Sequence, residues 1–188
     1  MTQVLGALAL SLSLCAEPAP VRPGAASPAL ADSVGKCQAS VKLLQERLQA
    51  RLAEALSAGG PAAAVLVCRD EAPAIAARIS REQGVAVGRT SDRLRNPANA
   101  PPAWAAAAVR AARGQRVAAV GEAVFDLGDR VGLLRPIAAG APCLACHGPA
   151  ASMAPEVRTA LSKAYPSDQA NGYSAGELRG FFWAVARK

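Results

Sequence analysis

The chain has 188 residues, of which 52% are hydrophobic and 19% are charged, as in one soluble domain of ordinary size with a buried core. Its 14 prolines and 16 glycines exclude a long coiled coil and, because they are not periodic, a fibrous protein. The formal charge of +7 suggests nucleic acid, but the chain has no dense Lys/Arg block and no recognition helix. We therefore expect an acidic protein partner or an acidic cofactor, and no nucleic acid.

The first 31 residues differ from the rest of the chain. Residues 4–14 form an apolar run of the length of a signal-peptide core, too short to span a bilayer, and a Pro/Ala-rich tract follows. We predict an export signal and linker over 1–31 and one domain over 32–188, in the periplasm or another extracytoplasmic compartment. The positive charges that usually precede such a run are missing. Cys15 predicts a membrane anchor only if it is lipidated, although Leu14 stands where that signal needs a small residue.

The domain opens with a helical pattern. Apolar residues recur at four-residue steps from Val41 to Leu56, with charged and amide side chains between them, and Gly59 and Gly60 end the helix. Residues 62–67 then form a short apolar run, which suits either a buried strand or a continuation into the next element.

A second helix is predicted directly after Cys68, with Asp70 as its N-cap and Gly84 as its C-terminal stop. Helical and β-like stretches alternate in the remainder, which favours the α+β class. A β-hairpin before Cys143 argues against a helical-bundle cytochrome. The remaining predicted elements are an extended segment over 85–88, a helix from Pro101 to Gly114 with Asn99 as cap candidate, hairpin strands over 116–125 and 131–138, a helix over 155–164 and an apolar run over 180–186.

The strongest chemical signal is the motif Cys143-Leu144-Ala145-Cys146-His147, the C-x-x-C-H signature of haem c attachment. Two cysteines on one helical turn can each form a thioether with a haem vinyl group, and the adjacent histidine is then placed to ligate iron. A thioredoxin-like pair would follow an early strand, and zinc would need two more ligands, but the chain has no second Cys/His pair. The motif predicts one covalent haem c, attached through Cys143 and Cys146, with His147 as proximal iron ligand.

His147 is the only histidine, so a second axial ligand must be a different type of residue. Met153 is six residues away and would need an extended detour around the haem edge. Cys68, predicted at the start of a helix, would have its thiolate favoured by the free N–H groups there. Spacing does not decide between Met153 and Cys68 as the second ligand. Further options for this position are Cys37, a lysine, a tyrosine or no ligand at all. Cys37 is expected to be spare, or paired with Cys15 if the signal is retained.

A family resemblance adds to this interpretation. The chain is similar to the single-haem c-type domain with a PAS-like fold, which occurs as an exported protein and as the extracytoplasmic input module of bacterial sensor kinases. The resemblance covers about residues 34–188 and implies an antiparallel sheet flanked by helices, with haem against the sheet. It also implies that Cys68 is the distal iron ligand, opposite His147. It rests on four segments in matching order: VLVCRDEAPAIAARIS, GRTSDRLRNPANAPPAW, LLRPIAAGAPCLACHG and YPSDQANGYSAGELRGFFWAV.

The second of these segments carries a group of arginines. Haem has two propionates, and planar guanidinium groups bind carboxylates through two hydrogen bonds at once. The alternative is a solvated basic loop. Tyr173 and Arg179 in the final segment are further candidates for the same role. The candidate propionate ligands of the second segment are Arg89, Arg93 and Arg95.

These features predict an exported haem-based redox or small-ligand sensor, or the partner of a sensor protein. A thiolate ligand stabilises ferric iron, so reduction, or a diatomic gas such as NO or CO, would release Cys68 and move the strand-to-helix junction that carries it. The alternative is a low-potential electron carrier that docks acidic partners through its basic surface. An enzyme is not expected, because peroxidase chemistry needs a distal base and no second histidine is available.

Overall fold

A computed structural model describes residues 18–21 and 28–188. The predicted signal core and Cys15 lie outside the described residues. The helices and strands in chain order are α1 (Pro28–Gln83), β1 (Ala86–Thr90), α2 (Ala106–Ala111), β2 (Ala123–Asp126), β3 (Arg130–Ala138), α3 (Leu144–His147), α4 (Pro155–Ala164) and β4 (Leu178–Arg187). The strands form one antiparallel sheet in the order β1-β4-β3-β2, which confirms the α+β prediction.

Helix α1 folds back on itself at Gly60, whose φ of 70° and ψ of −172° belong to a backbone region that is essentially restricted to glycine. Arg51 and Glu71 prove the reversal, because their side chains share hydrogen bonds of 2.6 and 2.8 Å. A straight helix would separate these residues by about 30 Å. By length and composition alone α1 would suffice to cross a membrane. The turn instead makes an antiparallel helical hairpin of the halves 28–59 and 61–83.

The hairpin decides between two open alternatives and corrects two local predictions. The run 62–67 continues into the next element as helix and is not a strand, because its alanines favour helix and Pro61 fits the first turn of the second half. Asp70 consequently lies inside the helix and is not an N-cap. Cys68 is also inside the helix, two turns beyond its start, so the free N–H groups of a helix start do not reach its thiol. The predicted C-terminal end of this helix is correct, since Gly84 follows the last helical residue with a φ of 64°.

In the middle of the chain, one prediction was right only in part and another was wrong. The predicted strand 116–125 is a strand only at its end, over Ala123–Asp126, because a 3-10 turn over Val117–Ala119 precedes it. Asn99 does not cap the helix that follows it. Asn96 caps a short 3-10 turn instead, by accepting a hydrogen bond of 3.0 Å from the backbone N–H of Ala98.

Helices cover both faces of the sheet. Adjacent residues of β4 point to opposite faces, so Phe182 packs with α1 and Phe181 packs with α2. The cluster with α1 contains Val41 and Leu44, both fully buried. Strand β1 lies at one edge, beside β4, and the second half of α1 packs near it. This arrangement leaves a space between the hairpin, the edge of the sheet and the loops around α3.

We predict that Gly60→Ala lowers the free energy of unfolding by about 1–3 kcal/mol, because an L-residue is strained in this conformation. Gly35→Ala is the matched control. It lies exposed in the first half of α1, a Cβ there meets nothing within 4 Å, and alanine should gain about 0.5–1 kcal/mol over glycine. Urea unfolding followed by circular dichroism measures both changes. Two effects of the same sign would contradict the assignment of Gly60 as the turn.

Candidate functional site

A cavity of about 540 Å³ occupies the space beside the helical hairpin. The predicted attachment cysteines and the two predicted iron ligands all line it: Cys143, Cys146, His147 and Cys68. Cys68 comes from the second half of α1, whereas the other three come from α3 and the turn before it. The fold thus joins two segments that are distant in sequence. The volume lies within the range of roughly 300–1,000 Å³ that is typical of pockets for small molecules and cofactors.

The walls of the cavity are largely apolar. They come from both halves of α1, from β3 and from β4, so they enclose the space from several sides. Such walls suit a ligand with large hydrophobic faces. The larger apolar side chains among them are Leu48, Leu52, Leu56, Val65, Ile75, Ile137 and Phe182.

The C-x-x-C-H segment forms a compact helical turn at the cavity. A 3-10 turn over Ala141–Cys143, with Pro142 near its start, leads directly into α3. Gly148 ends the turn, and a Cβ there would lie 2.6 Å from the carbonyl oxygen of Leu144. Cys143 and Cys146 are free thiols and half-buried. Burial raises the pKa of the Cys146 thiol.

A backbone hydrogen bond determines which nitrogen of His147 carries a proton. Nδ1 lies 2.7 Å from the carbonyl oxygen of Ala170, and because a carbonyl only accepts, Nδ1 must donate. Burial, together with the positive charges of Arg179 and Arg95, lowers the pKa of His147 to about 2. The ring is therefore neutral, and its unprotonated Nε2 lies 3.5 Å from Nη1 of Arg95. This is the tautomer, anchored by a second hydrogen bond, that binds metal ions in proteins.

A loop near the C-terminus holds this arrangement in place. Asp168 pairs with Nε of Arg95 at 3.0 Å, and Arg95 also donates to the carbonyl oxygens of Cys146 and Ala170. The backbone N–H of Tyr173 donates to the carbonyl of His147 at 2.9 Å. The sequence pattern did not reveal the roles of Asp168 and Ala170. Their only signal was that both lie in the fourth segment of the family resemblance.

All three predicted arginines line the cavity, but two of them have partners in the chain. Arg93 pairs with Glu177 at 3.5 Å and lies over the ring of Tyr173, 3.9 Å from its centre. Arg95 is held by Asp168. Arg51 and Arg179 extend the set, so the arginines at the cavity are Arg51, Arg89, Arg93, Arg95 and Arg179.

The structure also separates the sulfur atoms considered as a second ligand. Met153 does not line the cavity and packs in a buried cluster with Val65 and Tyr165. Cys37 lies in the core between α1 and the sheet, where burial raises the pKa of its thiol to about 11. Of Met153, Cys37 and Cys68, only Cys68 shares a cavity with His147.

Comparisons with known proteins agree with this fold. A family model described as Tll0287-like matches residues 26–185. The chain belongs to the Tll0287-like family. This membership confirms the resemblance found in the four sequence segments. Among solved structures, the chain is similar to the one described as the crystal structure of the cyanobacterial heme-protein Tll0287, with a TM-score of 0.64 and 23% identity, covering 87% of this chain and 98% of that chain. None of the curated proteins matches.

We predict that Asp168→Asn lowers the free energy of unfolding by about 3 kcal/mol, because it leaves the guanidinium of Arg95 without its counter-ion. The two side chains are only 13% and 10% exposed. Asp70→Asn is the control, since its pair with Arg69 lies at the surface and should contribute little. Urea unfolding measures both variants. Equal losses would mean that the Arg95–Asp168 pair does not stabilise the domain through its burial.

Proposed function

We propose that this chain is an exported mono-haem c-type cytochrome that acts as a redox or small-ligand sensor, or as the partner of a sensor protein. The observation that carries the proposal is the convergence of the C-x-x-C-H motif and Cys68 on one cavity. Membership of the Tll0287-like family, and a fold shared with a cyanobacterial heme-protein, support haem as the occupant. When bound, haem supplies an iron atom that cycles between the ferric and ferrous states and accepts axial ligands.

Four residues of the cavity would hold the haem, two as covalent attachment points and two as iron ligands. Cys143 and Cys146 would attach it covalently through their thiols. His147 would ligate iron through Nε2, since Nδ1 is committed to the carbonyl of Ala170. Cys68 would be the second ligand, as the sulfur atom that the second half of α1 contributes to the cavity lining.

Cys68 is also well placed to transmit a signal. The helical segment that carries it is tied to the first half of α1 by the Arg51–Glu71 pair and to α4 through Val65. An anionic Cys68 thiolate would favour ferric iron, so reduction of a bound haem would weaken the hold on Cys68, and NO or CO would compete for its position. Release of Cys68 would move this segment and, through its contacts, α4. The element that moves is thus the helical hairpin and not a strand-to-helix junction.

The second candidate function is a low-potential electron carrier, favoured by the net charge of +7. A basic surface attracts acidic redox partners and speeds their association. In that case Cys68 would stay bound in both oxidation states, and no movement of the hairpin would be needed. We assign neither candidate an enzymatic reaction.

For the haem site, we expect a low-spin ferric spectrum with a near-infrared charge-transfer band from thiolate to iron. Cys68→Ala should remove this band, whereas Cys37→Ala should keep it, since Cys37 lies in the core away from the cavity. Absorption spectroscopy of protein produced with a haem c maturation system measures both. A high-spin or methionine-like spectrum of the unaltered protein would rule out Cys68 as a ligand.

For the sensor, we expect ferrous protein to release Cys68 and to bind CO within the mixing time of a routine spectroscopic titration. The carrier would exclude CO and would exchange electrons at rates that fall as salt concentration rises. Reduction under CO, followed by absorption spectroscopy, distinguishes the two. A ferrous protein that retains Cys68 and takes up no CO would contradict the sensor.

A further inference from the structure

Not all of the arginines that line the cavity form an ion pair with a carboxylate of the described residues. Three of the five arginines that line it form ion pairs with carboxylates, and two do not. The pairs are Arg51–Glu71 at 2.6 Å, Arg95–Asp168 at 3.0 Å and Arg93–Glu177 at 3.5 Å. Arg89 and Arg179 make no ion pair with any residue in 18–21 or 28–188.

Arg179 lies near the start of β4 and, like Arg89, is half-buried. Its Nε lies 3.3 Å from Nδ1 of His147, but that nitrogen carries a proton for Ala170 and cannot accept a second one. The ring of Tyr173 lies 5.2 Å from its guanidinium carbon and offers only a weak attraction. Within the described residues, Arg179 therefore has no carboxylate partner in an ion pair.

Arg89 approaches the same region from the edge strand. It lies in β1, opposite Phe182 in the strand register, and its side chain lines the cavity. No hydrogen bond or ion pair of its side chain is found within the described part of the chain. Its charge acts on both His147 and Arg179. Two uncompensated cations thus lie near each other at one cavity.

A buried cation without a counter-ion is unfavourable, and a bound anion removes that penalty. Guanidinium groups bind carboxylates through charge-assisted, often paired hydrogen bonds. We infer that Arg89 and Arg179 form a binding site for the two carboxylates of an amphipathic dicarboxylate ligand, a porphyrin with two propionates. The porphyrin identity rests on the proposed function. Arg93 and Arg95, already paired with Glu177 and Asp168, position the loops around the site.

The test uses the full chain produced without haem attachment and titrates it with iron-free protoporphyrin IX and with its dimethyl ester, which lacks the two charges. Porphyrin fluorescence reports binding. We expect the dicarboxylate to bind about ten-fold more tightly than the ester. Arg89→Gln and Arg179→Gln should each reduce this ratio at least about three-fold, whereas the exposed Arg110→Gln should preserve it.

Circular dichroism checks that each variant is folded. If Arg179→Gln does not fold, Arg179→Lys replaces it. Lysine keeps the charge but loses the paired geometry, so the ratio should still fall. Equal binding of acid and ester by the unaltered chain would overturn the anion site. A ratio preserved in Arg89→Gln and in the folded Arg179 variant would overturn the assignment to these two residues.

The result of the porphyrin titration can be distinguished from a failure of the proposed iron ligation. The porphyrin probe contains no iron, so neither Cys68 nor His147 determines how acid and ester compare. A ferric spectrum without the thiolate band would contradict the proposed axial ligands and leave the anion site standing. A protein that shows the thiolate band but binds the acid and the ester equally would support the proposed iron ligands and contradict the anion site.

Discussion

The reversal of α1 at Gly60 is the constraint on which the rest of the site depends. Without it, the second half of the helix would continue away from the sheet, and Cys68 could not reach the cavity that His147 lines. Glycine makes the turn possible, and the bidentate Arg51–Glu71 pair holds the two halves together. One backbone conformation thus converts a long helix into one wall of a cofactor-sized cavity.

The opposite wall is built differently, by hydrogen bonds and not by a turn. The α3 segment is too short to hold its own shape, and the loop that includes Asp168 and Ala170 supports it. Arg95 connects this loop to the carbonyl of Cys146. His147 is therefore held neutral and in one orientation, and this preorganisation would reduce the entropic cost of binding a ligand at the site.

The two walls are held by different kinds of interaction. The His147 side is tied to the loop by part-buried hydrogen bonds, whereas the Cys68 side is held by a half-exposed ion pair, by Val65 against α4 and by Ile75 and Ile79 against the core. Exposed ion pairs contribute little to stability. Apolar packing therefore holds the Cys68 side more firmly than its ion pair does.

The sequence by itself determined the α+β class, helix α4, the β2–β3 hairpin and the family, because these depend on local periodicity and on motifs. It also selected Cys68, Cys143, Cys146 and His147. Which residues share the cavity was decided only by tertiary structure, since the α1 reversal and the Arg95–Asp168 pair join segments that no local pattern connects. The same holds for the charges: three of the arginines at the cavity look alike in sequence, and only their ion-pair partners, brought in from distant elements, separate the compensated ones from Arg89.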